Sequence, residues 1–181
     1  RYVTVVARTD VPEGRRDHRN DGGCVIDVTN GDVLVEGLSM PHSPRWHNDR
    51  LWVLNSGSGE FGYVDTEHGK FESIAFCPGY LRGLAFAGQY AIVTLSLPRH
   101  RTFDGLPLDK QLEKRNAAAQ CGLYVIDLNA GHVAHTVRLE GSLVSELYDV
   151  VTLPGAVRPK AIGFKTNEIE RVVLVDEAGE L

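Results

Sequence analysis

The chain has 181 residues, 43% of them hydrophobic and 24% charged, with a formal net charge of −5. That length supports one globular domain with a sizeable core. The acidic balance, with Arg15-Arg16 set beside Asp17 and Asp21, argues against a nucleic-acid partner, which needs a clustered basic face, and no apolar stretch reaches the roughly 20 residues of a membrane span.

The chain opens on Arg1 and a strand-like run, YVTVVART. With no Met ahead of it, this start reads as a mature product or a fragment. A polar stretch from Thr9 to Gly22 follows. Then Val25-Ile26-Asp27 leads to Gly31, Val64-Asp65 to Gly69, and Val125-Ile126-Asp127 to Gly131. Each is a short apolar run ending in Asp with Gly four residues on. Such a pattern predicts a hairpin, because Asp caps the turn with its side chain and Gly supplies a positive φ. The returning strands are expected at Asp32 to Glu36, Lys70 to Phe76 and His132 to Leu139.

Between the hairpins lies a repeat. MPHSPRWHNDRLWVLNS (Met40 to Ser56) and YLRGLAFAGQYAIVTLS (Tyr80 to Ser96) align without a gap, forty positions apart. Each copy reads as two strands around a turn, Asn48-Asp49 or Gly88-Gln89. The unit is therefore four short strands, A to D, in about forty residues, which predicts an all-β fold built of β-propeller blades. An open β-sandwich is the alternative. Blade one enters at strand B. Blade two has A near Ser43 to His47, B near Arg50 to Asn55, C near Gly62 to Asp65 and D near Lys70 to Phe76. Blade three runs from about Arg82 to Leu139. A fourth unit begins at Leu147, with VVTLPG, AIGF and VVLVD as strands. About three and a half blades do not close a ring, so residues 1–181 read as one N-terminally truncated domain of a larger propeller. An insertion at 97–120 interrupts blade three. Its segment LDKQLEKRNAAAQ predicts a helix with Asp109 as cap.

The three cysteines, Cys24, Cys77 and Cys121, form no CxxC and no even framework. They read as buried or half-buried free thiols in a reducing, cytoplasmic setting.

In a propeller the D–A links and B–C loops emerge on one face, and the starts of the A strands open there around the axis. The aligned position is His42, then Arg82, then Asp149: polar in every copy and different each time. It is expected to point into the mouth, where rigid scaffolds present binding residues. Ser43 neighbours it, Tyr80 lies two positions earlier in its own copy, and Glu146 lies three positions before Asp149. Glu146 and Asp149 are also the candidate oxygen ligands for a divalent cation. A wet channel in which these groups only pair with one another is the bland alternative. Trp46, aligned with Phe86 and Leu153, is expected in the core. His47 is expected toward solvent or the A–B turn. Asn55-Ser56 is explained by turn chemistry, and GSG at Gly57 to Gly59 is no phosphate loop because no helix and no Lys-Ser/Thr follow. His100-Arg101 and the helix of the insertion are placed as a lid.

SMPHSPRWHNDRLWVLNSGSGEFGYVD, AFCPGYLRGLAF, TFDGLPLD and ELYDVVTLPGAVRPKAIGF closely resemble a family of conserved hypothetical bacterial proteins, a domain of unknown function sometimes found beside tetratricopeptide repeats. The resemblance runs from about Gly23 to Phe164 and is to the C-terminal portion of that domain. It carries over no catalytic residue, and it leaves any cofactor unknown. Two functions are weighed. The first is a binding module whose mouth holds a small molecule, a peptide or a partner protein. The second is an enzyme, a metal-assisted hydrolase or peptide-modifying enzyme. There Asp149 and Glu146 hold a cation or act as base, His42 acts as acid or base, and Arg82 binds an anionic group. Binding is favoured.

Overall fold

The computed structural model describes residues 1–11, 13–98, 104–141, 143–159 and 167. The apolar runs of the sequence become three antiparallel sheets. The first contains β1 (Tyr2–Val5), β2 (Gly23–Asp27) and β3 (Val33–Leu38). The second contains β4 (Pro41–His47), β5 (Arg50–Asn55), β6 (Glu60–Asp65) and β7 (Lys70–Phe76), paired in chain order. The third contains β8 (Tyr80–Ala87), β9 (Tyr90–Ser96), β10 (Gly122–Asp127) and β11 (His132–Arg138), again in chain order. The fold is all-β with one α-helix, α1 (Pro107–Lys114), among the described residues.

The three Asp-to-Gly turns owe their shape to local chemistry. Oδ1 of Asp27 accepts the Thr29 N–H at 2.8 Å, that of Asp65 the Glu67 N–H at 3.0 Å, and that of Asp127 the Asn129 N–H at 2.8 Å. Gly31, Gly69 and Gly131 close these turns at φ of 83°, 64° and 68°, a region only glycine enters freely. The backbone N–H of Thr29 holds the Asp27 carboxyl below the usual carboxylate range, and that of Asn129 does the same for Asp127.

The run RLWVLN is apolar without alternation because both faces of β5 are covered. Leu51 and Val53 pack with Val25, Val35 and Leu38 of the first sheet. Trp52 and Leu54 pack with Leu81, Leu84, Val93 and Leu95 of the third. The second sheet is thus the middle layer of a face-to-face stack, and strands buried on both faces read as continuous hydrophobic runs. On β9 the alternation is visible. Ala91, Val93 and Leu95 enter the core with the second sheet, while Thr94 and Ser96 point the other way. Their hydroxyls hold the segment that follows β11. Ser96 Oγ accepts the Leu147 N–H at 2.9 Å and donates to Leu147 O at 3.2 Å, and Thr94 Oγ1 reaches the same carbonyl at 3.4 Å.

That segment corrects the strand expected at VVTLPG. Residues 150–153 enter no ladder. The chain there lies against the third sheet and is tied to it by its own side chain; Thr152 Oγ1 donates to Phe86 O at 3.3 Å. AIGF, VVLVD and His100-Arg101 lie outside the described residues. The helix starts one residue before its predicted segment and ends at Lys114, well short of Gln120, and its cap is different. Leu106 occupies the N-cap without a side-chain bond and Pro107 starts the first turn, where a missing N–H costs nothing. Asp109 sits inside that turn and accepts the Gly105 N–H at 2.8 Å.

Two aromatic expectations also change. Trp46 is 56% exposed and stacks on Tyr2 at 6.0 Å. Phe86, its aligned partner, is covered by His47 of β4, stacked at 4.2 Å. The first sheet has no strand corresponding to β4 among the described residues, so nothing equivalent covers Trp46. His47, expected toward solvent or the A–B turn, ends β4 beside the Asn48-Asp49 turn and reaches the matching turn of the third sheet, its Nε2 3.1 Å from Gly88 O.

Candidate ligand-binding site

β4 and β8 lie side by side, and both carry a bulge within one position of the same place in the repeat. Pairing slips between His42 and Arg45 on β4, and between Leu81 and Leu84 on β8. Met40 and Ser43, which bracket His42, take left-handed φ of 45° and 51°. Non-glycine residues in that region are uncommon and cluster where side chains are aimed for use. The two bulges set up one chain of contacts. Ser43 Oγ donates to Arg82 O. Beside Arg82, a Cβ on Gly83 would lie 2.7 Å from Asp149 Cα, so only glycine lets the Asp149 segment approach. The three aligned positions therefore follow one another in space, 42 to 82 to 149, although 40 and 67 residues separate them in the chain.

His42 is half-buried. Its Nδ1 lies 2.8 Å from Met40 O, a pure acceptor, and 3.1 Å from Ser56 Oγ. The proton is therefore on Nδ1, and Nε2 keeps a lone pair with no partner among the described residues. Burial pushes the His42 pKa down, and the Arg82 charge adds to this against the opposing pull of Met40 O. The ring meets Tyr80 edge-on at 5.6 Å. Tyr80 is buried and its hydroxyl lies 3.7 Å from Met40 Sδ.

Arg82 is half-buried, with its guanidinium carbon 4.7 Å from the Tyr148 ring and 5.5 Å from the Tyr80 ring. Its Nε is enclosed and has no hydrogen-bond partner among the described residues. His42, Ser43, Tyr80 and Arg82 thus form one cluster. Asp149 sits at its edge, exposed, with Oδ1 accepting its own neighbour's N–H, Val150, at 2.9 Å. Glu146 lines a different cavity, of about 610 Å³, with Leu97, Leu112, Asp104 and Asp109. Ser56 and Tyr148 are the members that sequence reasoning missed. The aligned serines Ser56 and Ser96 carried a signal, since both are buried hydroxyls at the end of the second strand of the repeat, Ser56 bonding back to His42 and Ser96 forward to Leu147; Tyr148 carried none beyond its place beside Asp149.

The two long connections meet near this edge. Arg19 Nη2 donates to Asp104 O at 2.5 Å, and Ser39 Oγ donates to Arg19 O at 2.9 Å. The helix is fixed beneath by Leu106 and Leu108, which pack on Tyr80 with Met40 and Phe76. Among the described residues, the one group of three His, Cys, Asp or Glu side chains within metal-binding reach is Asp65, Glu67 and His68. It lies at the β6–β7 turn, the opposite end of the sheet, and repeats the Asx turn seen at Asp27 and Asp127. All three cysteines are buried thiols, and no helix of the described residues is long and apolar enough to cross a membrane.

The neutral state of His42 has a measurable consequence. In the unfolded chain its pKa returns to about 6.5; folded, it is lower. The unfolded state therefore binds the proton first. The contribution of neutral His42 is complete above the unfolded value and is lost as pH falls through the folded one. Urea unfolding at a series of pH values is expected to show a shallower loss of stability below neutrality in His42→Gln than in the native protein. Equal slopes would contradict the burial of the neutral ring.

No curated protein matches the chain in sequence. One family model does, over residues 1–162, and the chain belongs to that family, the domain of unknown function DUF4915.

Proposed function

We propose that the three sheets are successive blades of a β-propeller and that the chain is a binding module. Its ligand, a small molecule, a peptide or a segment of a partner protein, seats at the mouth lined by His42, Ser43, Tyr80 and Arg82, with Asp149 at the rim. The observation that carries this is the half-buried Arg82 guanidinium, which makes no ion pair among the described residues. A cation taken partly out of water without a counter-ion costs stability, and a binding role gives a reason to keep it. Support for the propeller comes from the chain-order pairing within each four-stranded sheet and from β1, β4 and β8 lying in succession. The metal-assisted reading has less behind it, because Glu146 and Asp149 line separate cavities.

Gly83→Ala tests the site without altering any of its polar groups. The added methyl pushes on the Asp149 main chain and costs about 1–3 kcal/mol. In a thermal-shift panel of metabolites and short peptides, compounds that raise the Tm of the native protein are expected to lose that effect on Gly83→Ala. A panel without one stabiliser, or stabilisers acting equally on both proteins, overturns the proposal.

A further inference from the structure

We infer that Arg82, held between Tyr80 and Tyr148, is the anchor for an oxyanion, the carboxylate or phosphate of a ligand that carries a hydrogen-bond donor beside it for His42 Nε2. This rests on the mouth reading above and names the chemistry of its ligand.

Three features converge on it. The first is charge. The protein is acidic overall, at −5, yet no carboxylate pairs with this guanidinium among the described residues. Of the two acids that flank Tyr148 in the chain, Asp149 is turned back on the Val150 N–H and Glu146 lines the cavity beside the helix. The second is preorganisation. The Arg82 main chain is held by the Ser43 hydroxyl at the bulge. Its side chain lies over two aromatic rings at 4.7 and 5.5 Å, and Nε is enclosed. A guanidinium so held loses little further freedom when an oxyanion docks on its outer nitrogens, and its planar fork suits two oxygens of one carboxylate or phosphate. The third is complementarity. His42 and Arg82 flank the same Tyr80 ring, at 5.6 and 5.5 Å, so both come within reach of one small ligand. With the Nδ1 proton committed to Met40 O, the imidazole offers an acceptor at Nε2. The pair presents a cation and a neutral acceptor side by side, which selects an anion neighboured by a hydroxyl or an amino group.

The test follows the Arg82 Nε–H directly. In the ¹⁵N-labelled full chain this signal is assigned by its loss in Arg82→Lys. Sodium phosphate and sodium succinate are titrated separately, with sodium chloride matched for ionic strength. The expected result is a saturable shift of the Arg82 signal with one or both oxyanions and not with chloride, with the preferred anion naming its source. The His42 ring signals then titrate at higher pH, because a bound anion favours the imidazolium. Arg82→Lys, which keeps the charge and loses the fork, is expected to weaken binding roughly tenfold or more. An Arg82 signal that ignores both oxyanions, or follows chloride equally, overturns the inference. If compounds from the thermal-shift panel still perturb His42 in that case, mouth binding stands and only the oxyanion anchor falls; if they do not, both fall together.

Discussion

Phe61→Ala is expected to remove about 3–5 kcal/mol of folding stability and to lower Tm by roughly 10 °C. Phe61 is fully buried and lies flat on Trp52, with ring centroids 5.1 Å apart and planes 6° apart. It stands on β6 of the second sheet, but its cluster includes Leu81, Leu84, Val93 and Leu95 of the third. Truncation therefore opens a void between two sheets that neither can close alone, and the cost of a large-to-small change depends on how far a site collapses. Phe61→Leu keeps most of the volume and is expected to cost less than about 1.5 kcal/mol. Urea unfolding followed by tryptophan fluorescence reads both, since Trp52 is the stacked partner. A loss below about 1 kcal/mol for Phe61→Ala would mean that this layer is not the cooperative core.

Gly122→Ala is the second large effect. A Cβ at Gly122 would lie 2.0 Å from Val137 O, 3.0 Å from Val137 C and 3.1 Å from Arg138 Cα. All three atoms are main chain of β11, so no side chain can swing aside. Relief requires β11 to lift from β10, with loss of pairing from Gly122–Arg138 inward. The expected cost is about 3 kcal/mol or more, at the upper end of overpacking changes. Gly88→Ala is the control. It has open space around it and a φ of 57°, so only the left-handed backbone is penalised, at about 1–2 kcal/mol. Gly122 itself has a φ of 156°, so in thermal unfolding of the two variants the contact is read as the loss beyond that of Gly88→Ala. Equal losses would remove the steric argument.

Much of the fold was legible because its signals are local. The Asp-to-Gly turns rest on contacts two residues apart, such as Asp27 with Thr29, and a one-dimensional pattern carries such contacts. The forty-residue repeat likewise located β4 and β5 against β8 and β9 to within about two residues. Even the bulges fall within one position of each other in the repeat. The failures share a different cause. Trp46 and Phe86 occupy the same place in the repeat, yet one is exposed and the other covered, because coverage depends on which sheet stands next to each. Asp109 looked like a cap by residue type, while Pro107 two positions earlier decided where the helix starts. VVTLPG has strand composition but lies on a sheet face, where no ladder partner is available.

The candidate site divides in the same way. Alignment of the repeat brought forward His42, Arg82 and Asp149 as one class of position, and the Ser43–Arg82 and Gly83–Asp149 contacts make them neighbours. Alignment was blind to the separation of Glu146 from Asp149. Three residues apart in an irregular segment, they go to different cavities. It was equally blind to Ser56 beside His42 and to Tyr148 over Arg82, since the second contact spans sixty-six positions of chain and depends on how the Asp149 segment lies on β8.

By itself, then, the sequence determined the all-β class, the hairpin turns, the repeat and the polar character of the strand starts. These follow from backbone preference and from period-two burial, which act over a few residues. Only the tertiary structure decided which of those polar groups are enclosed, which are paired and which carry charge. The neutral ring of His42, and a cation at Arg82 with no ion pair among the described residues, are set by desolvation and by neighbours drawn from separate elements, and no local pattern encodes the company a side chain keeps.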